Sequence, residues 1–275
     1  MPGNDESELR RALAERMWKE VLEQMPMNGL ERVRATIDVL GGLSEPVLSR
    51  LQGCVDRIFM PNLPSAAWPN GHWFPRVAET LEQNFEPLRA EALSELNEGR
   101  FRPYGVYDGE PAIVLDGSPV GWDELRLWDE FKPTTAVLRL PVAARVTRSI
   151  VEHCSLVNAI SFLAMQPGTR LPPHSDRANW LVSTHLGLVV PEGCGIRVGG
   201  ETRTWPVGKC ISFDNSYEHS AWNDSDSVRV IFAVHLGHPA LTRAEAKAVK
   251  ILQLRQMTLQ AMGREAAAAW ARSGA

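Results

Sequence analysis

The stretch that most limits what this chain can fold into runs from Met165 to His238: MQPGTRLPPHSDRANWLVSTHLGLVVPEGCGIRVGGETRTWPVGKCISFDNSYEHSAWNDSDSVRVIFAVHLGH. Apolar and polar residues alternate in short runs, and each run is closed by a turn signal: Pro191-Glu192-Gly193, Gly199-Gly200, Pro206-Val207-Gly208 or Asn223-Asp224-Ser225. The spacing predicts strands over Trp180–Val190, Gly195–Val198, Glu201–Trp205, Lys209–Phe213 and Val228–Leu236, with Val157–Met165 leading in. Strands this short and this evenly punctuated leave no room for crossover helices. They point to a double-sheet barrel or jelly roll and exclude a parallel α/β sheet.

Helices are expected on both sides of this core. Leu9, Leu13, Met17, Val21 and Leu22 fall on one stripe of a helix over Ser7–Met25, followed by Leu30–Leu40 and a third helix from Ser44-Glu45-Pro46 to Phe59. A Pro/Trp-rich connector (Met60–Phe74) precedes a longer helix from Pro75 to about Asn97. Between Arg100 and Lys132 the pattern is loop-rich, with one short strand at Ala112–Leu115. Thr134–Leu140 reads as a strand, and a short helix then runs to His153. After Pro239, Thr242-Arg243-Ala244-Glu245 starts an Ala-rich helix reaching about Ala271. The organisation expected is thus an N-terminal helical segment (1–59), a β core (60–240) and a C-terminal helix (241–275) that would suit packing or a homodimer.

Composition narrows the function classes. At 275 residues with 44% hydrophobic content a sizeable core is possible, and a net charge of -4 gives no reason to expect nucleic acid or an anionic membrane as partner. Cys54, Cys154, Cys194 and Cys210 form no CxxC pair, so they read as small buried thiols of a reducing compartment rather than a zinc ribbon or a disulfide framework. The N-terminus has neither a basic nor an apolar leader region, and no run approaches the roughly 18 apolar residues of a membrane span. A cytoplasmic location is expected.

Five of the seven histidines lie in the core stretch. On a strand, residues i and i+2 share a face, which would project His174 and Asp176 together. An imidazole and a carboxylate are two of the three ligands of a 2-His-1-carboxylate site, which leaves open positions on Fe(II). His219, after Phe213-Asp214-Asn215-Ser216-Tyr217, is placed to return as the third. In VRVIFAVHL, Arg229 shares a face with Ile231, Ala233 and His235. An arginine among inward apolar residues is costly unless it meets an anion, and its planar fork suits a carboxylate, whether internal or on a ligand. His185 shares a face with Ser183 and Gly187, as a further donor to a bound carboxylate or as a core histidine. His72, among Trp68, Trp73 and Phe74, reads as a packing histidine.

The run PHSDRANWLVSTHLGLVVPEGCGIRVGGETRTWPVGKCISFDNSYEHSAWNDSDSVRVIFAVHLGHP resembles the catalytic core of the aspartyl/asparaginyl β-hydroxylase family, Fe(II)/2-oxoglutarate oxygenases built on a double-stranded β-helix. HLGLVVP, ETRTWPVGK, FDNSYEH and RVIF carry the resemblance, and FPRVAETLEQNFEPLRAEALSEL, Gly121-Trp122 and Lys132-Pro133-Thr134 extend it over Phe74–Pro239. It implies a mainly β, cupin-like jelly-roll core with flanking helices. His174 and His219 would be iron ligands, Arg229 the partner of the far carboxylate of 2-oxoglutarate, and His185 a contact to that co-substrate. Ser212 or Ser227 would be hydroxyl partners there.

Two departures are visible. Asp176 stands where animal members carry glycine, and would complete a three-ligand set. Ser183 stands where they carry an arginine that helps hold the co-substrate, with Arg170 or Arg177 as candidate replacements. Leu163 likewise replaces a hydroxyl residue. The reaction implied uses O2 and releases succinate and CO2 while hydroxylating a C–H, the β-carbon of an amino acid, of an aspartyl or asparaginyl residue, or of a peptide-type or carrier-bound intermediate. The alternatives are desaturation or cyclisation on the same fold, or a non-catalytic metal- or carboxylate-binding module.

Overall fold

The computed structural model describes residues 4–25, 28–48, 51–53, 59–104, 106–107, 110–111, 121–176, 178–262 and 269. Two helices come first, α1 (Asn4–Gln24) and α2 (Glu31–Leu40), then α3 (Pro75–Gln83) and α4 (Phe85–Asn97). Short strands β1 (Arg102–Pro103), β2 (Val106–Tyr107) and β3 (Glu110–Pro111) lead to β4 (Trp122–Asp129) and β5 (Lys132–Pro133). After α5 (Pro141–His153) come the core strands β6 (Val157–Met165), β7 (Arg170–His174), β8 (Leu181–Val189), β9 (Cys194–Val198), β10 (Glu201–Arg203), β11 (Cys210–Phe213), β12 (His219–Asn223) and β13 (Arg229–Gly237). Helix α6 (Arg243–Met262) closes the described chain.

The strands form two facing antiparallel sheets. The larger has the order β1-β4-β6-β13-β8-β11, with β5 on β4; the smaller has the order β10-β9-β12-β7. Apart from the β9–β10 hairpin, successive core strands alternate between sheets, which is the double-stranded β-helix expected from the sequence. Leu163, Ile231, Ala233 and Phe213 of the larger sheet meet Leu171, Ile196, Val198 and Ala221 of the smaller one between the layers. The other face of the larger sheet carries Ile160, Phe162, Val230, Phe232 and Val234 against Val77, Leu81, Leu88, Ala143, Val146 and Ile150 of α3, α4 and α5. Buried on both faces, β13 reads as a nearly unbroken apolar run. Phe162 and Phe232 meet edge to face at 5.0 Å and are fully buried, each contributing about 2 kcal/mol of transfer free energy.

A third cluster joins the two ends of the chain. Ala14, Val21, Val33 and Ile37 of α1 and α2 pack with Ala246, Val249 and Leu252 of α6, over Leu156 and Trp180. Arg32 donates to both oxygens of Glu245 (2.7 and 2.6 Å). Thr242 and Glu245 form a reciprocal cap at the start of α6, Glu245 N–H to Thr242 Oγ1 at 3.1 Å and Thr242 N–H to Glu245 Oε2 at 2.8 Å. Among the described residues no helix is long and apolar enough to cross a membrane.

Several local expectations are corrected. Within 44–59 the described residues form no helix: the Gly53 N–H donates to Ser216 O, the Glu218 N–H to Leu51 O, and Gln52 bridges to Tyr217. Pairing with the loop before β12 takes the backbone bonds that a helix would have used. The helix over 75–97 is two helices, because Pro87 in the first turn of α4 cannot follow an unbroken helix past residue 83. Thr134–Leu140 is a 3-10 turn over Thr135–Leu138, with the Thr134 hydroxyl accepting from Ala136 N–H. The strand expected at Ala112–Leu115, positions 263–268 and 270–271 of the expected C-terminal helix, and Cys54 lie outside the described residues, and Cys154, Cys194 and Cys210 are free thiols.

Candidate metal centre

Strands β7 and β12 are antiparallel neighbours, and their register sets His174 directly opposite His219, with ring centroids 4.1 Å apart. Nδ1 of His174 lies 2.8 Å from Pro172 O, and Nδ1 of His219 lies 2.9 Å from Tyr217 O. A carbonyl oxygen only accepts, so each Nδ1 carries the proton and each Nε2 keeps its lone pair. Both Nε2 atoms face Oδ1 of Asp176, at 3.9 Å from His174 and 3.8 Å from His219. One donor atom from each of the three residues lies within 4.8 Å of the other two. These separations are too long for hydrogen bonds and leave room for a cation. Burial holds His219 below its ordinary pKa, against the pull of Asp176, and the neutral imidazole so favoured is the ligating form.

Asp176 reaches this position by a route the alternation rule does not describe. Strand β7 ends at His174, so Asp176 sits beyond the sheet, with its side chain 38% exposed. Its main-chain N–H donates to Asn215 O at 2.9 Å, and its Oδ2 accepts from Asn215 Nδ2 at 2.9 Å. The loop supplying Asn215 is itself folded by Asp214, whose Oδ1 accepts from the Ser216 N–H (2.9 Å) and hydroxyl (2.6 Å). Burial pushes the Asp214 carboxyl up to about 6.

On the inner face of the larger sheet the register forms rows. Arg229 pairs with Met165, and Ala233 lies between Ser161 and His185. His235 lies opposite Ser183. Arg229 is 2% exposed, its Nε is buried without a partner, and its guanidinium stacks 4.7 Å over the Trp205 ring. Among the described residues it makes no ion pair. Burial pulls its pKa down to about 10. His185 Nδ1 accepts from Trp205 Nε1–H at 3.4 Å, which leaves Nε2–H as a buried donor with no partner. Burial keeps His185 well below its usual pKa, with the neighbouring His235, Arg229 and His219 adding to the effect. An unsatisfied guanidinium and an unsatisfied imidazole N–H on one inner face are the donors that a carboxylate ligand would satisfy.

The other expected residues divide between this face and the outside of the sheet. Ser183 is buried with its hydroxyl 3.0 Å from His235 Nδ1. Ser212 is turned to the opposite face of β11, against Thr184 Oγ1 (2.9 Å) and His72 Nδ1 (3.1 Å), because it is out of phase with Phe213. Ser227 is exposed in the turn before β13. Neither serine faces Arg229's side of the sheet. Arg170 pairs on the surface with Asp224 at 2.5 Å and so replaces nothing in the pocket, and Arg177 lies outside the described residues. Leu163 lines the inner face beside Ile231.

The sequence reading missed Trp205, Asn215 and His235 as members of the site. Trp205 and Asn215 lie inside ETRTWPVGK and FDNSYEH, so motif membership was the available signal. The strand β4 was missed with its inner-face residues Glu124 and Arg126, which pair bidentately at 2.8–3.0 Å.

The model of one family, aspartyl/asparaginyl beta-hydroxylase, matches residues 82–239. The aspartyl/asparaginyl beta-hydroxylase of Mus musculus is 32% identical over 189 residues, covering 64% of this chain and 24% of that protein. The aspartate beta-hydroxylase domain-containing protein 2 of Homo sapiens is 38% identical over 203 residues, covering 70% of this chain and 53% of that protein. The chain thus spans about a quarter to a half of the length of these curated relatives. Among solved structures, a Pseudomonas putida prolyl-4-hydroxylase aligns with a TM-score of 0.38 and 16% identity, over 62% of this chain and 92% of that one.

Proposed function

From the premise that this chain belongs to the aspartyl/asparaginyl β-hydroxylase family, we propose that it is an Fe(II)/2-oxoglutarate-dependent dioxygenase. Its substrate would be an amino acid, an aspartyl or asparaginyl residue, or a peptide-type intermediate, hydroxylated at a C–H that the family places on the β-carbon. The observation that carries the proposal is the donor set: two imidazoles with Nδ1–H committed to carbonyls and Nε2 free, facing one carboxylate oxygen. That set fits Fe(II), which takes imidazole and carboxylate ligands with positions left open. Unsatisfied buried donors on Arg229 and His185 fit a dicarboxylate co-substrate.

Bound there, Fe(II) would supply the activation of dioxygen, with 2-oxoglutarate giving up two electrons as it becomes succinate and CO2. The protein's part is orientation and exclusion of water. The two carbonyl bonds fix the tautomer and tilt of His174 and His219. Arg229 receives the far carboxylate by its fork while Trp205 supports the guanidinium from below. His185 donates Nε2–H to the same ligand, its proton held there by the Trp205 bond to Nδ1. Leu163, Ile231 and Phe213 keep the inner wall apolar, so the charged contacts act in a poorly screened space.

The test is anaerobic addition of Fe(II) and then 2-oxoglutarate, followed by the weak visible charge-transfer band of the chelate. The band should form in the parent and vanish in His174→Ala and His219→Ala. With oxygen admitted, succinate should form in step with a product heavier by one oxygen atom across a panel of aspartate, asparagine and peptides containing them. No band in the parent, or an unchanged band in His174→Ala, would remove the proposal.

A further inference from the structure

We propose that Asn215 is the positioning residue that makes Asp176 a metal ligand, selecting Oδ1 as the ligating atom by occupying Oδ2. This rests on the metal-centre reading above and goes one step beyond it. Asp176 stands past the end of β7 with a partly exposed side chain, so the sheet does not fix its carboxylate. What holds it is one residue, bonded twice: the Asp176 N–H donates to Asn215 O, and Asn215 Nδ2–H donates to Asp176 Oδ2, each at 2.9 Å. The first bond sets where the backbone of Asp176 lies. The second sets which way the carboxylate turns, and leaves Oδ1 facing both Nε2 atoms at 3.8 and 3.9 Å.

The amide orientation follows from chemistry. Turned over, Asn215 would set its carbonyl oxygen against Oδ2, and two acceptors do not bond. In the orientation required, Asn215 Oδ1 is buried with no partner, although the residue is only 3% exposed. A residue kept for packing alone would not leave a buried acceptor unpaired, since that costs folding free energy. Held this way, the amide N–H serves Asp176. Behind it, His235 Nδ1 lies 3.5 Å from Asn215 Nδ2 and takes the Ser183 hydroxyl at 3.0 Å. Ser183 and His235 thus form the wall against which the amide rests.

The experiment is a titration with Co(II) alone, read by its visible d–d bands, on the full chain and on Asn215→Ala, Asp176→Ala and the double variant. Loss of a group that orients a ligand typically weakens metal binding by about 10–100-fold. That loss is expected for Asn215→Ala with Asp176 present, and no further loss is expected once Asp176 is alanine. Asn215→Leu keeps the volume and the main-chain bond and removes only the amide; it should repeat the result should the alanine leave a cavity that unfolds the protein. Equal losses in both backgrounds would mark Asn215 as merely structural and overturn the inference, as would unchanged affinity in Asn215→Ala. Asp176→Ala binding Co(II) as tightly as the parent would also overturn it, while leaving the metal centre standing if His174→Ala still loses the bands. If His174→Ala binds unchanged, the proposed function falls as well.

Discussion

Burial lowers the pKa of the Arg229 guanidinium well below its ordinary value, to about 10, and the main opposing influence is the nearby Cys194. Each tenfold in proton affinity is ~1.4 kcal/mol, so the charged form is disfavoured in the native protein by on the order of 3 kcal/mol. Because the native pKa lies below the unfolded one for a base, this cost is fully present below about pH 10 and is relieved only above it. Stacking on Trp205 at 4.7 Å returns about 1–2 kcal/mol in a desolvated setting. Arg229→Met has a similar reach and no charge, so it should stabilise the ligand-free protein by about 1–2 kcal/mol, a rise in Tm of about 2–8 °C for a chain of this size. The parent should gain about 2.7 kcal/mol when 2-oxoglutarate is present with Mn(II) at a hundred times its Kd. The variant should gain less than about 1 kcal/mol, because removing one partner of a buried charge pair costs about 2–5 kcal/mol of binding. Thermal melts at pH 7.5, with and without 2-oxoglutarate and Mn(II), read both effects. A ligand-free variant melting below the parent would refute the reasoning, since the guanidinium would then be satisfied within the fold.

Trp205→Phe keeps a ring under Arg229 and removes the N–H that holds His185 in its tautomer. The 2-oxoglutarate Kd, measured by calorimetry with Mn(II), should rise about 2–13-fold, the equivalent of a hydrogen bond worth about 0.5–1.5 kcal/mol; an unchanged Kd would deny Trp205 that part. His238 packs on Trp73, and burial depresses its pKa to about 4. Its native pKa lies below the unfolded value of 6.5, so its contribution is fully present above about pH 6.5 and is lost as pH falls toward 4. His238→Asn offers an oxygen in place of the Nδ1 that accepts from Ala240 N–H. Between pH 6.5 and 5.5 it should lose about 1 kcal/mol less stability than the parent. Equal losses in urea melts at the two pH values would show that the imidazole is not the sensor. Asp214, raised to about 6, works in the opposite sense from pH 4 to 6 and is present in both proteins.

The sequence was legible where hydrophobic pattern and orientation agree. In β6, β8 and β13 most residues facing the helices are apolar, Thr184 being polar, and the phase that put Arg229, Ile231, Ala233 and His235 on one face is the phase observed. Strand β4 broke that agreement. Its Leu125 and Leu127 face the helices, while Glu124 and Arg126 lie on the side turned to the site, so the segment looks like a charged loop. Trp205, in the loop after β10, reaches His185 of β8 only after the chain has been rolled up, and no spacing in the sequence reports a contact between residues twenty positions apart.

Asp176 shows how a correct proximity can come from an incorrect rule. Alternation along a strand placed it beside His174, yet the strand stops before it, and its position is owed to Asn215 across a loop. The two histidines are register neighbours of a sheet and cannot move apart without breaking the ladder. The carboxylate is held by one amide and one main-chain bond, so it can be lost without unravelling β7. A sheet that keeps both imidazoles while the loop residue varies fits the glycine that the resemblance puts at this position in animal members. By the same logic, restoring a third ligand to such a site would take a pair of changes, the carboxylate and the amide that turns it, because an aspartate alone on this loop would have only solvent to orient it.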